Sequence, residues 1–147
     1  MSPNEKNDLL YLINILEYIG KIWKYTEGIK SEEELYELND QMNLNASLTL
    51  LANIGENVSK ISDKIKKEFT NIEWKQIKEF RNRIVHDYVG IDLVIIYEII
   101  TKDLKTLKED VEKIIIIKLE QKIFDIEEFN ICKESPYYSN IEFEKIM

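Results

Sequence analysis

Four glycines and two prolines are all that 147 residues contain, so this chain has few of the residues that make tight turns. A fold of many short strands needs turn signals every 8–12 residues or so. The apolar residues here recur instead at helical spacing, and capping residues stand where helices would begin. The expectation is an all-α, antiparallel helical bundle.

Ser2-Pro3-Asn4-Glu5 reads as a capping box with proline at the first helical position. A helix to about Glu27 follows, with Leu9, Ile13, Leu16, Ile19 and Trp23 on one face and Gly28 as its stop. Ser31-Glu32-Glu33-Glu34 opens a short second helix through about Leu38. Asn39 to Asn45 is polar and ambiguous, and Leu48, Leu51, Ile54 and Val58 mark a long helix from about Asp40, within that stretch, to Ser59. Ser62-Asp63 starts another short helix. Asn71 is a candidate cap for a helix over about Glu73–Asp87. Gly90 breaks the chain, and Asp92 caps a last long helix to at least Val111. Ile114–Ile117 either extends that helix or forms a strand. The expected organisation is a bundle over residues 1–112. After it comes an extension, 113–147, that continues the last helix and ends in a loosely packed tail holding Pro136, Tyr137 and Tyr138.

No apolar run approaches the roughly 18 residues of a membrane span, and Met1 to Asp8 lacks the apolar stretch of a secretory signal. One cysteine, Cys132, cannot form an internal disulfide, and no Cys/His cluster suggests zinc. A reduced, cytoplasmic protein without metal or other cofactor is expected.

The chemistry concentrates in one place. Only two of the 20 basic residues are arginine, and the chain has a single histidine. Arg81, Arg83 and His86 share six residues of Phe80-Arg81-Asn82-Arg83-Ile84-Val85-His86-Asp87-Tyr88. Arginine grips phosphate with a planar fork that lysine lacks. Histidine, with an ordinary pKa of about 6.5, takes and gives protons near neutrality. The pairing suggests work on a phosphodiester; the plainer reading is two surface arginines and a satisfied histidine. Net charge is −8, which argues against unselective nucleic-acid binding. Lys60 to Tyr88 nevertheless holds eight cations against five acids, a window of +3 on a remainder of −11. The Lys64-Ile65-Lys66-Lys67 cluster can help hold RNA, although a solvated face is the ordinary reading of such a run.

On a helix Arg81 and His86 stand roughly 140° apart around the axis, and Arg83 and His86, at i,i+3, are closer. Spacing alone thus favours Arg83 as the partner of the imidazole. Asp87 is a candidate to orient His86, although adjacent residues point apart. Glu56 can reach the site from a neighbouring helix or stand as a plain surface carboxylate.

Arg81-Asn82-Arg83-Ile84-Val85-His86-Asp87-Tyr88-Val89-Gly90-Ile91-Asp92, with Ile72 to Ile77 before it, resembles the HEPN superfamily, and within it the HepT-type ribonuclease toxins. Those proteins carry an Arg-x4-His-x-Tyr motif ahead of a Gly-hydrophobic-Asp turn. Tyr25 to Gly28 and Ile54 to Asn57 resemble the same family's first two long helices, and the likeness runs from about Asp8 to Glu112. It implies a metal-independent endoribonuclease that works as a homodimer with the motifs near the interface. It also implies an MntA-like nucleotidyltransferase antitoxin that silences the toxin by placing AMP on Tyr88. Carried over by position, Arg81 and His86 are the catalytic pair and Asn82 matches the usual neighbour. Arg83 falls where the family fixes nothing, so it is auxiliary at most, like Asp87 and Glu56. A competing reading is a non-catalytic HEPN module that only docks a nucleotidyltransferase.

Overall fold

The computed structural model describes residues 3–146, all of whose regular elements are helical. Helix α1 spans Pro3–Tyr25, α2 Glu32–Glu37, α3 Met42–Lys60, α4 Asp63–Glu68, α5 Trp74–Asp87, α6 Leu93–Glu98, α7 Leu104–Glu120 and α8 Ile126–Glu134. The capping box read at Ser2 lies outside the described residues.

Helices α1 and α3 pack antiparallel, and side chains along their length fix the register. Asn43 Nδ2 donates to the Tyr25 carbonyl (2.8 Å), Asn14 Nδ2 to Asn57 Oδ1 (3.1 Å), and the Ser62 amide and hydroxyl to the buried Asp8 carboxylate (2.8 and 2.6 Å). Leu12, Ile13, Ile15, Ile19 and Ile22 of α1 are fully buried with Ile54 and Val58 of α3 against them. Helix α5 crosses the other side of α3, and α7 lies along α1.

Most helix starts obey their caps. Ser31 accepts from the Glu34 amide, Ser62 from Ile65 and Asp92 from Val94. Two differ from expectation. Helix α3 begins at Met42 rather than Asp40, because Asn39, Asp40 and Gln41 take left-handed dihedrals (φ 49°, 54° and 67°) that no right-handed helix accepts. Asn71 does not cap α5, whose first residue, Trp74, anchors its indole N–H on the Phe69 carbonyl (3.0 Å).

Helices α6 and α7 form one rod joined by a π-turn, Ile99–Asp103. Trp23 Nε1 donates to the Ile100 carbonyl within this turn at 2.9 Å. The isoleucine run is helical, with Ile114 and Ile115 fully buried.

The expectation of a loose tail is corrected: the segment after Glu120 is packed. Phe129 is fully buried and meets the ring of Phe143 edge-on, 5.7 Å between centroids. The fully buried Glu17 carboxylate accepts from the Asn140 amide and side chain, both at 2.8 Å. Gly20 makes this crossing possible, since a Cβ there would sit 2.2 Å from the Asn140 carbonyl oxygen. Tyr138 donates to Asn14 (2.7 Å), and Lys108 ties Glu142 (3.0 Å) to α7. Helical periodicity is blind to a segment held this way, because its anchors are single residues meeting distant helices. Truncating a buried phenylalanine removes both transfer free energy and packing. Phe129→Ala should therefore cost about 3–5 kcal/mol in urea denaturation; a loss below about 1 kcal/mol, the level of an ordinary exposed-site change, would mean that the tail adds little to the core.

Candidate active site

The motif occupies the last two turns of α5. Its placement depends on α3, where Gly55 faces the base of Arg81: a Cβ at position 55 would stand 2.2 Å from Arg81 Cβ and 2.7 Å from its Cγ. The two helices therefore touch backbone to side-chain stem, and the arginine leaves α5 directly over α3. The next α3 residue, Glu56, receives Arg81 Nη2 at 2.6 Å, while Arg81 Nη1 donates to Asn82 Oδ1 at 2.9 Å. Two of the five guanidinium N–H groups are thus used for positioning, and the rest remain for a ligand. The Arg81 side chain is 31% exposed and that of Glu56 43%. Solvent screens the pair at that exposure, so its effect is chiefly to fix direction.

His86 lies in the final turn and is exposed. It makes no hydrogen bond or ion pair among the described residues, so its ring is available to solvent. Along the axis it stands about 7–8 Å beyond Arg81 by helical rise. The structure therefore brings Arg81 together with Asn82 and Glu56, and does not join His86 to any of them within one protomer. Arg83 is exposed. Asp87 leaves helical geometry (φ −154°, ψ 48°), and its carboxylate lies against Gly90. Tyr88 opens a single 3-10 turn, Tyr88–Gly90, and is 55% exposed. Val85, Val89, Val94 and Ile95, near it in the sequence, are exposed as well, with Val89 at 84%.

A groove of about 470 Å³ runs between α5 and the α6–α7 rod, over Leu51 and Ile54. Its walls are mostly apolar, and neither Arg81 nor His86 lines it. The motif chemistry thus sits on the open end of α5. Among the described residues no three His, Cys, Asp or Glu side chains converge as a metal site.

Gly55 is the site residue that motif reasoning passes over. The available signal was an isolated glycine inside an apolar helical pattern, which marks close packing.

The motif thus places Arg81, Arg83 and His86 on the last turns of one helix of an all-α bundle, the arrangement that the HEPN resemblance implies. The chain belongs to the HepT-like ribonuclease family: the family model described as "Ribonuclease HepT-like" matches residues 15–114. It is 30% identical over 102 residues to a candidate RNase of Methanocaldococcus jannaschii, covering 69% of this chain and 91% of that protein. A second candidate RNase of the same organism is 30% identical over 105 residues, covering 71% of this chain and 84% of the relative. The probable ribonuclease HepT of Thermococcus cleftensis is 29% identical over 104 residues, covering 71% of this chain and 92% of that protein. No solved structure matches the chain. No helix among the described residues is long and apolar enough to cross a membrane.

Intrinsic propensity alone would make Gly55→Ala stabilising by about 1 kcal/mol. The clash with Arg81 should reverse the sign, with a net loss of about 1–3 kcal/mol in thermal or urea unfolding, as for other overpacked sites. A variant as stable as the parent would show that α5 does not rest on Gly55.

Proposed function

We propose that this protein is a metal-independent endoribonuclease and the toxin of a toxin–antitoxin pair. The observation that carries the reading is the partly exposed Arg81 guanidinium, fixed by Glu56 and Asn82, on the same helix end as an exposed His86. Cleavage needs the 2′-hydroxyl oxygen to bond the adjacent phosphorus while the bond from phosphorus to the 5′-oxygen breaks. A base takes the 2′-hydroxyl proton, an acid returns one to the departing oxygen, and the pentavalent phosphorane carries extra negative charge in between. Arg81, held by Glu56 and Asn82, donates to the non-bridging oxygens as that charge builds, a role worth about 10²–10³-fold. His86 moves protons, worth about 10²–10⁴-fold. The products are a 2′,3′-cyclic phosphate and a 5′-hydroxyl, and DNA, lacking the nucleophile, is not cut.

One imidazole per chain serves two proton transfers best in a dimer. Val85, Tyr88, Val89, Val94 and Ile95 are all exposed in the motif and the segment that follows it, which supports self-association there, because exposed large apolar side chains often mark an interface. In a two-fold arrangement the same surface meets itself, so an interface at this end of α5 would bring both His86 rings to one cleft. One ring then acts as base and the other as acid.

The exposed Tyr88 phenol lies two residues from His86. A nucleotidyltransferase partner would transfer AMP from ATP to it: the phenol oxygen bonds the α-phosphorus and pyrophosphate leaves. The added phosphate would repel and occlude RNA.

Purified protein should cleave RNA in the presence of a chelator. Arg81→Ala and His86→Ala should each lower the rate at least 100-fold, as expected for loss of a transition-state donor or a proton carrier. Cleavage that survives both substitutions would remove these residues from the mechanism. No cleavage by the parent, with a nucleotidyltransferase still bound, would favour a docking module instead. Intact mass of the chain co-produced with its neighbouring gene should show additions in units of AMP that vanish in Tyr88→Phe. An unmodified chain in a tight complex would point to steric inhibition.

A further inference from the structure

The groove between α5 and the α6–α7 rod takes no part in the cleavage step, and the fold leaves it open. Helix α5 rests on α3, the rod rests on α1 and α2, and direct packing between α5 and the rod is sparse. The space of about 470 Å³ is floored by Leu51 and Ile54 and walled by Phe80 on one side and Ile99, Leu104 and Leu107 on the other. Much of this apolar surface meets water: Ile95 is exposed, and Ile77, Phe80 and Ile99 are half-buried.

The charged groups around it share one sign. Glu73 at the head of α5 and Asp103 and Asp110 on the rod line the groove, and among the described residues no lysine, arginine or histidine does. None of these three carboxylates takes part in the ion pairs of the described residues. The groove is also long. Ile95, Ile99, Asp103, Leu107 and Asp110 line one wall at helical spacing, a stripe about 22 Å long at a rise of about 1.5 Å per residue. A helix about 10–12 Å across encloses roughly 420–610 Å³ per turn. A groove of this volume and length therefore admits the apolar side chains along one helix face, and not a whole helix.

We infer that this groove docks an amphipathic helix of a partner protein, apolar on the face that enters and basic along its edges. The inference goes beyond the ribonuclease reading, since neither Arg81 nor His86 lines the groove. Helix-in-groove recognition anchors apolar side chains at i, i+3, i+4 and i+7, and flanking charges set partner and register. Unpaired carboxylates at the rim select lysine and arginine on that partner. The same carboxylates repel RNA, whose phosphates would meet three like charges. A second copy of this chain fits poorly too, because each copy carries a net charge of −8 and would bring acid to acid.

The test is a methyl NMR titration of the full chain, labelled at its isoleucine methyls, with two helical peptides. Each has about 18 residues, enough to cover the stripe on the rod at about 1.5 Å per residue. One carries leucine on one face and lysine on the other; its twin carries glutamate in place of lysine. The Leu/Lys peptide should shift the methyls of Ile77, Ile95 and Ile99 and leave Ile131, exposed on α8, unmoved. Reversing two exposed rim charges, Glu73→Lys with Asp103→Lys, should weaken that peptide about tenfold and let the Leu/Glu peptide bind. The same change of charge on α8, Glu127→Lys with Glu128→Lys, should stay within about twofold of the parent, since solvent screens charges outside the groove. A Leu/Lys peptide that does not bind the folded parent, or that shifts methyls outside the groove, would overturn the proposal. So would binding that ignores both the peptide's charge and the rim reversal. Shifts of Ile95 and Ile99 that follow protein concentration alone would assign the groove to a second copy, and shifts induced by an oligoribonucleotide would assign it to RNA; either result overturns the proposal as well.

Discussion

The contact between Gly55 and the stem of Arg81 sets the geometry of the whole functional end. With no Cβ at position 55, α5 settles onto α3 closely enough for the arginine to emerge over its neighbour helix. From there the guanidinium meets Glu56 at 2.6 Å. A long flexible side chain loses rotamer freedom when it is held, and here two polar partners bear that cost before any substrate arrives. A donor aimed in advance is worth more to a transition state than one that must be gathered. The helix crossing and the chemistry are therefore one design decision, made at a residue with no side chain.

The bundle was legible because its signals are local and periodic. Apolar residues at helical spacing placed α1, α3 and the rod, and Ser31, Ser62 and Asp92 announced three helix starts that the structure keeps. The motif was legible because arginine and histidine are so rare in this chain that their clustering stands out. What escaped depends on partners far apart in sequence. The left-handed run Asn39–Gln41 is a tertiary consequence, with Asn43 reaching the end of α1. Glu56 gave no sign of its partner, because an ion pair 25 residues long has no period. The tail read as loose for the same reason: Phe129, Asn140 and Phe143 find their places only once α1 and α7 exist.

That tail lies beyond the region shared with the family. The family match ends at residue 114, yet the following segment is fastened to α1 by Glu17, Gly20 and Asn14. Asn14 joins Tyr138 on one side and Asn57 on the other, and Asn57 is the α3 residue after Glu56. The extension thus braces the same helix that carries the arginine's partner, from the opposite side of the bundle.

The π-turn in the rod has a consequence for how this fold tolerates change in length. A wide turn accommodates one residue more than a regular helix would, and one residue corresponds to about 100° of rotation. Deleting a single position between Ile99 and Asp103 would restore an ordinary helix and keep Leu104, Leu107, Val111 and Ile114 facing the core. The same deletion elsewhere in the rod, with no extra residue to remove, would swing everything downstream by that angle. The indole of Trp23, bonded to the Ile100 carbonyl inside the wide turn, marks the place where the extra residue is absorbed.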